Sequence, residues 1–232
     1  MGCFQKPGVD YGETYASVMS TRTFRMLLQI YNSDKSNKML HWDVSTAFIH
    51  APLQERVYMR QASGHEVKGK EMWVYQLIKA LYGTKQAARA WQQHLAKQLM
   101  RKGCNPLVVD PATYVRREGD AFLMIGTHVD DLFVLFNTKG ERLKDEVWQY
   151  LNEVLTIKSM GDAVWTLQMS INRDPNAGVL KISQASFTRE VIRRFNMENI
   201  KTASTPASEL GDEAAMSEND LPSTPEEKED IG

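Results

Sequence analysis

Cysteine is nearly absent: Cys3 and Cys104 are the only two. That is too few for a disulfide framework, and they have no metal-ligand spacing. No apolar run approaches the roughly 18 residues of a membrane span, and the N-terminus lacks the apolar core of a secretory signal. Met1-Gly2-Cys3 resembles an acylation site, but Lys6 stands where that pattern wants Ser or Thr. The five histidines (41, 50, 65, 94 and 128) are dispersed, without the close pairing zinc favours, and read as packing or surface residues. No membrane partner is therefore expected. Charge of one sign is also lacking overall, since the net is −1. From residue 206 onward, however, nine acids face one lysine, a net of about −8, which leaves about +7 on the first 205 residues. A mildly basic body suits a polyanionic partner. Residues 201–232 read as an acidic, disordered tail.

What the chain has is ordinary apolar content for a core, arranged in mixed periodicities. A helix is predicted from Ser20 to Tyr31, with Phe24, Leu27, Leu28 and Tyr31 on one stripe. Strands are expected at Met39–Val44, Arg56–Arg60 and Met72–Leu77. Ala87, Trp91, Leu95 and Leu99 recur every four residues in a helix over 85–102, which Gly103 stops. A strand at Thr113–Arg116 leads into a hairpin about Asp130-Asp131. Leu143, Val147, Tyr150, Leu151 and Val154 mark a further helix. Strands at Val164–Ile171 and Val179–Ile182 flank the turn 174–178. A last helix over 184–195 should turn Phe187, Val191 and Phe195 inward. This order predicts an α+β fold, an antiparallel sheet covered on one face.

The chemistry concentrates where two apolar runs, 122–129 and 132–136, meet at Asp130-Asp131. A third acid, Asp43, interrupts the apolar run 40–44, an expensive placement unless the acid is paired or metal-bound. Carboxylates held rigidly at strand ends are what two-metal phosphoryl transfer requires. That places nucleotidyl transfer first. Each residue also has a plain structural reading: a hairpin-turn pair for Asp130-Asp131, a strand-end acid facing water for Asp43, a core anchor for Phe48. Leu81-Tyr82-Gly83-Thr84-Lys85-Gln86 joins a glycine turn to a helix start, which can cradle phosphate or a base.

Several segments in fixed order resemble the reverse transcriptase of copia-type retrotransposons: QKPGVDYGETYASV, HWDVSTAFIHAPLQERVYM, LIKALYGTKQAARAW, DPATYV, THVDDLFVL, IKSMGDAVWTLQMSI and LKISQASFTREVIRRFNMENIKTASTP. They run nearly unbroken from residue 4 to 206. The resemblance implies a polymerase palm, with a ferredoxin-like antiparallel sheet and helices on one face. Partial fingers and palm would occupy residues 1–160, and the palm's end and the start of a thumb 161–200. It implies Mg²⁺ or Mn²⁺ held by catalytic Asp43, Asp130 and Asp131, an RNA or DNA template with primer, and dNTPs as substrates. Phe48 matches the aromatic sugar gate, Tyr82 and Gly83 the floor under the incoming nucleotide, and Lys158 a lysine near its phosphates. His128, Trp165 and Gln168 fall at primer-contacting positions. A setting in cytoplasm or virus-like particles follows from the resemblance alone, and oligomeric state is not legible.

Three departures stand out. His128 replaces the usual Tyr before Val-Asp-Asp, and Ala88 replaces a helix-initiating Pro. Gln168 replaces a Gly, which is expected to block close backbone approach or a φ > 0 conformation. The chain begins almost at QKPG, so the family's upstream basic fingers strand and its protease, integrase and ribonuclease H regions are expected to lie outside it. The alternative to an active polymerase fragment is a catalytically inactive remnant that folds and at most binds nucleic acid. A nucleotide cyclase on a similar palm would explain the acids but not the Tyr82-Gly83 turn.

Overall fold

A computed structural model describes residues 2–200, so the expected acidic tail lies outside the described residues. In chain order the helices and strands are α1 (Thr21–Ser33), β1 (Lys38–Val44), β2 (Pro52–Arg60), β3 (Val74–Lys79), α2 (Ala87–Arg101), β4 (Asn105–Pro106), β5 (Thr113–Glu118), β6 (Ala121–His128), β7 (Asp131–Phe136), α3 (Glu141–Val154), β8 (Ile157–Asp162), β9 (Trp165–Thr166), β10 (Met169–Asp174), β11 (Val179–Ser183) and α4 (Ala185–Arg194). The first compact unit ends at Ser186, and the second begins at Phe187. The boundary expected after residue 160 falls inside β8.

Six antiparallel strands form the main sheet in the order β4-β5-β6-β7-β1-β8. Four neighbouring strands at one side of it, β6-β7-β1-β8 with β8 at the edge, and α2 and α3 as crossovers, have the split βαβ arrangement of ferredoxin-like folds. Alternate side chains of each strand take opposite faces. Trp42, Val44, Leu132, Val134 and Phe136 meet Trp91, Leu95 and Leu99 of α2 and Leu143, Val147 and Leu151 of α3. Met39, Met124, Phe133 and Leu135 face the other way, onto Phe24, Leu27 and Leu28 of α1 and Ile171 of the small β9–β11 sheet. The sheet is therefore covered on both faces, not on one. Runs such as Leu132–Phe136, buried throughout, are the mark of a strand sandwiched between layers.

The α2 stripe and its stop are as predicted: Ala87, Trp91, Leu95 and Leu99 are buried and Gly103 takes φ +74°. α1 starts at Ser20, whose hydroxyl accepts from the Thr23 N–H as an N-cap. Two expectations fail. The strand read at 164–171 is broken by a tight turn at Leu167-Gln168, with β9 and β10 on either side. In α4 no residue is buried, and Phe187 and Phe195 are exposed.

Candidate active site

The register of the main sheet lines up the residues singled out above. His128 on β6 pairs with Asp131 on β7, Asp131 with Asp43 on β1, and Asp43 with Lys158 on β8. Directly opposed residues share a face, so the four form one row across four strands, spanning roughly 14 Å at the usual strand spacing. The row lies at the end of the sheet where β1 stops and β6 turns into β7.

Asp130 sits in that turn. Val129 beside it has φ +58°, a left-handed conformation that β-branched residues rarely take and that costs of order 1–3 kcal/mol. The turn is held from outside the hairpin: the Val44 N–H donates to the Asp130 carbonyl at 2.9 Å, and the Trp91 indole N–H donates to the Val129 carbonyl at 2.6 Å. Burial pushes the Asp130 carboxyl above its ordinary range. The negative charges of Asp131 and Asp43 add to this, partly offset by a backbone hydrogen bond and by His128.

Phe48 arrives by a sharp route. β1 ends at Val44, Thr46 takes a left-handed φ of +54°, and a 3₁₀ turn, Ala47–His50, carries the ring. Phe48 and Tyr82 meet with ring centroids 4.4 Å apart, so the two residues expected as gate and floor touch. Gly83 has φ +89°, the backbone state that glycine adopts without penalty. The Gln5 side chain accepts from the Lys85 N–H at 2.8 Å and donates to the Gln86 side chain at 3.0 Å, tying the QKPG segment to this turn. Lys158 is exposed and half of Trp165 is. Trp165 and Gln168 belong to the small sheet, and among the described residues no hydrogen bond or ring contact joins them to the row. Gln168 corrects an expectation: it takes φ +62°, and Leu167 +48°, so the glycine replacement did not block that conformation. Positive φ at both central residues is what a type I′ hairpin needs.

Sequence reasoning missed His41, whose Nε2 lies 2.6 Å from Asp131 Oδ1 and whose ring stacks on Phe133. Only the β1–β7 register reveals that pairing. It also read Trp91 as core alone. The Nδ1 of His128 is buried without a hydrogen-bond partner among the described residues, an unusual state for a polar atom in a folded interior.

Three carboxylates offer the hard oxygen donors that Mg²⁺ and Mn²⁺ take, and a cation would relieve the repulsion felt by Asp130. The donor types, though not their present spacing, suit a divalent ion. Among the described residues, no group of three or more His, Cys, Asp or Glu side chains is gathered closely enough to hold one.

Residues 1–209 match the family model described as reverse transcriptase (RNA-dependent DNA polymerase), and the chain belongs to that family. Its relatives are Pol polyproteins of copia-type transposons. It is 34% identical, over 231 residues, to the retrovirus-related Pol polyprotein from transposon TNT 1-94 of Nicotiana tabacum, covering 98% of this chain and 17% of that protein. It is 31% identical to the corresponding polyprotein from transposon RE2 of Arabidopsis thaliana, covering 88% of this chain and 14% of that protein. A putative transposon Ty5-1 protein of Saccharomyces cerevisiae is 26% identical over 164 residues, 71% of this chain and 52% of that protein. The chain thus spans under a fifth of the two plant polyproteins.

Proposed function

We propose that this chain is the palm, with partial fingers and the start of a thumb, of an RNA-directed DNA polymerase that adds dNTPs to a primer 3′-hydroxyl on an RNA or DNA template. The observation that carries this reading is the row Asp131–Asp43–Lys158 with Asp130 at the adjoining turn. Asp43, Asp130 and Asp131 would hold Mg²⁺ or Mn²⁺, which supplies neutralising charge for the attacking and leaving oxygens. The primer 3′-hydroxyl gives up its proton to solvent water and its oxygen bonds to the α-phosphorus. The bond to the β-phosphate oxygen breaks and pyrophosphate leaves. Lys158, beside Asp43, faces the phosphates. Phe48, backed by Tyr82, occupies the space a 2′-hydroxyl would need. His128 meets the primer end, and the Trp165–Gln168 turn its backbone.

The test is primer extension on poly(rA) with oligo(dT), dTTP and Mg²⁺ or Mn²⁺, comparing wild type with Asp130→Asn. Extension lost in the variant supports the assignment. Full metal-dependent extension by Asp130→Asn would sink it. Extension by neither, with both folded by circular dichroism, would favour the second reading, an inactive remnant. The strained, exposed Gln168 at the primer turn is the observation on that side.

A further inference from the structure

Trp91 looks at first like a plain core residue: its ring is 2% exposed and lies in the α2 stripe. A core position needs only an apolar ring of the right size. Trp91 does something more specific. Its one polar atom is aimed at the carbonyl of Val129, the residue whose φ of +58° defines the hairpin turn. At 2.6 Å this is a short contact for an N–H donor.

The surroundings explain why a clamp is needed. A half-open pocket of about 90 Å³ borders the turn, with Phe48, Trp91, Leu95, Tyr114, Thr127 and Val129 among its lining residues. A strained turn that borders open space has somewhere to relax. The Val44 N–H restrains the Asp130 carbonyl, but only Trp91, among the described residues, donates to the Val129 carbonyl. Because α2 begins just after the Tyr82-Gly83 turn, the same helix fixes the nucleotide floor and the acid turn relative to one another. We propose that Trp91 is a positioning residue, whose indole N–H holds the β6–β7 turn in its left-handed state and so fixes where Asp130 points. Its catalytic consequence rests on the polymerase reading; the clamp itself does not.

Trp91→Phe keeps the ring and removes the donor. Val129→Gly removes the strain, since glycine adopts positive φ freely. A clamp predicts that the two substitutions are coupled, and simple packing predicts that they are not. The experiment is a double-mutant cycle on the full chain, read by urea unfolding and by primer extension. Trp91→Phe should lower the folding equilibrium constant by less in the wild-type background, where the released turn sheds its strain, than in the V129G background, where the hydrogen bond's full net effect of roughly three- to tenfold is lost. kcat should instead fall more in the wild-type background, where the turn moves, than in V129G, while KM for dTTP holds. Equal losses in both backgrounds overturn the clamp. Coupling in unfolding with no extension by wild type keeps the clamp and sinks the polymerase reading. Extension without coupling does the reverse. Should W91F fail to fold, indole hydrogen exchange in the wild-type chain decides: a protected Trp91 N–H supports the clamp, and a rapidly exchanging one overturns it.

Discussion

Asp110 and Asp130 are both drawn into the protein and pushed in opposite directions. At the root of α1, burial would raise the Asp110 carboxyl, but the hydrogen bonds it accepts outweigh that and hold it below the ordinary range. They come from the Thr23 hydroxyl at 2.6 Å, the Ser20 N–H at 2.9 Å and the Ala112 N–H at 3.2 Å. At the β6–β7 turn, burial raises Asp130 and two neighbouring carboxylates raise it further. One acid has its donors built into the chain, and its negative charge stabilises the fold. The other has like charges for company, and its backbone hydrogen bond and His128 offset burial and those charges only in part. An acid whose donors are built in and one crowded by like charges are told apart by who satisfies them, and the second is the stronger candidate for a functional site.

The contrast breaks most visibly in Asp130→Asn. Under the proposed function, extension should fall by at least about 10²-fold, equivalent to roughly 2.7 kcal/mol of barrier. Stability should hold or rise by up to about 1 kcal/mol at pH 7, because removing a repelled charge relieves the fold. The sign follows from linkage. A carboxyl whose folded pKa is raised favours the folded state below its unfolded pKa, and that advantage is lost as pH rises through the folded value. The variant's gain should therefore be present at pH 7 and shrink toward zero below about pH 4. Urea unfolding at the two pH values checks it. A clear loss of stability at pH 7 would end the comparison.

Asp110→Asn should do the opposite, leaving the acid row untouched and costing about 2–3 kcal/mol of stability at pH 7, since an amide cannot accept from all three donors. A lowered pKa gives stability that is present above the unfolded pKa near 4 and is lost as pH falls through the folded value. The penalty should thus narrow in acid. Matching urea curves for wild type and variant at pH 7 would show that the Ser20–Thr23–Asp110 cluster does not anchor α1.

Much of this was legible in the sequence, for identifiable reasons. Asp43 and Asp130-Asp131 stood out because acids inside apolar runs conflict with burial. The Ala87–Leu99 stripe stood out because its period is helical. What stayed hidden depends on register or on backbone state. The pairing of His41 with Asp131 and of Asp43 with Lys158 appears only once strands are aligned. That α1 covers the face opposite α2 and α3 cannot be read from an amphipathic stripe, which says that one side is buried but not against what. The stripe of α4 even overstated the burial of Phe187 and Phe195. Periodicity missed the turn at Leu167-Gln168, which only the resemblance implied, because neither residue is the Gly, Asn or Asp that advertises positive φ.

That last turn gives the smallest effect and a direct check on strain. Leu167 and Gln168 share Val129's left-handed backbone, yet among the described residues no hydrogen bond from outside the small sheet reaches their carbonyls, whereas Val129 is clamped by Trp91. Gln168 is exposed and Leu167 is partly packed on the core. Glycine at 168 would remove the left-handed penalty, about 1 kcal/mol for an L-residue, while losing only solvent contacts; its greater freedom in the unfolded chain takes back part of the gain. Gln168→Gly should therefore stabilise by about 0.5 kcal/mol, a rise of roughly 1–2 °C in Tm for a domain of this size. Calorimetry is sensitive enough to see it. A fall in Tm would mean that the glutamine side chain contributes contacts outweighing its strain, and that the two hairpins differ in more than their clamps.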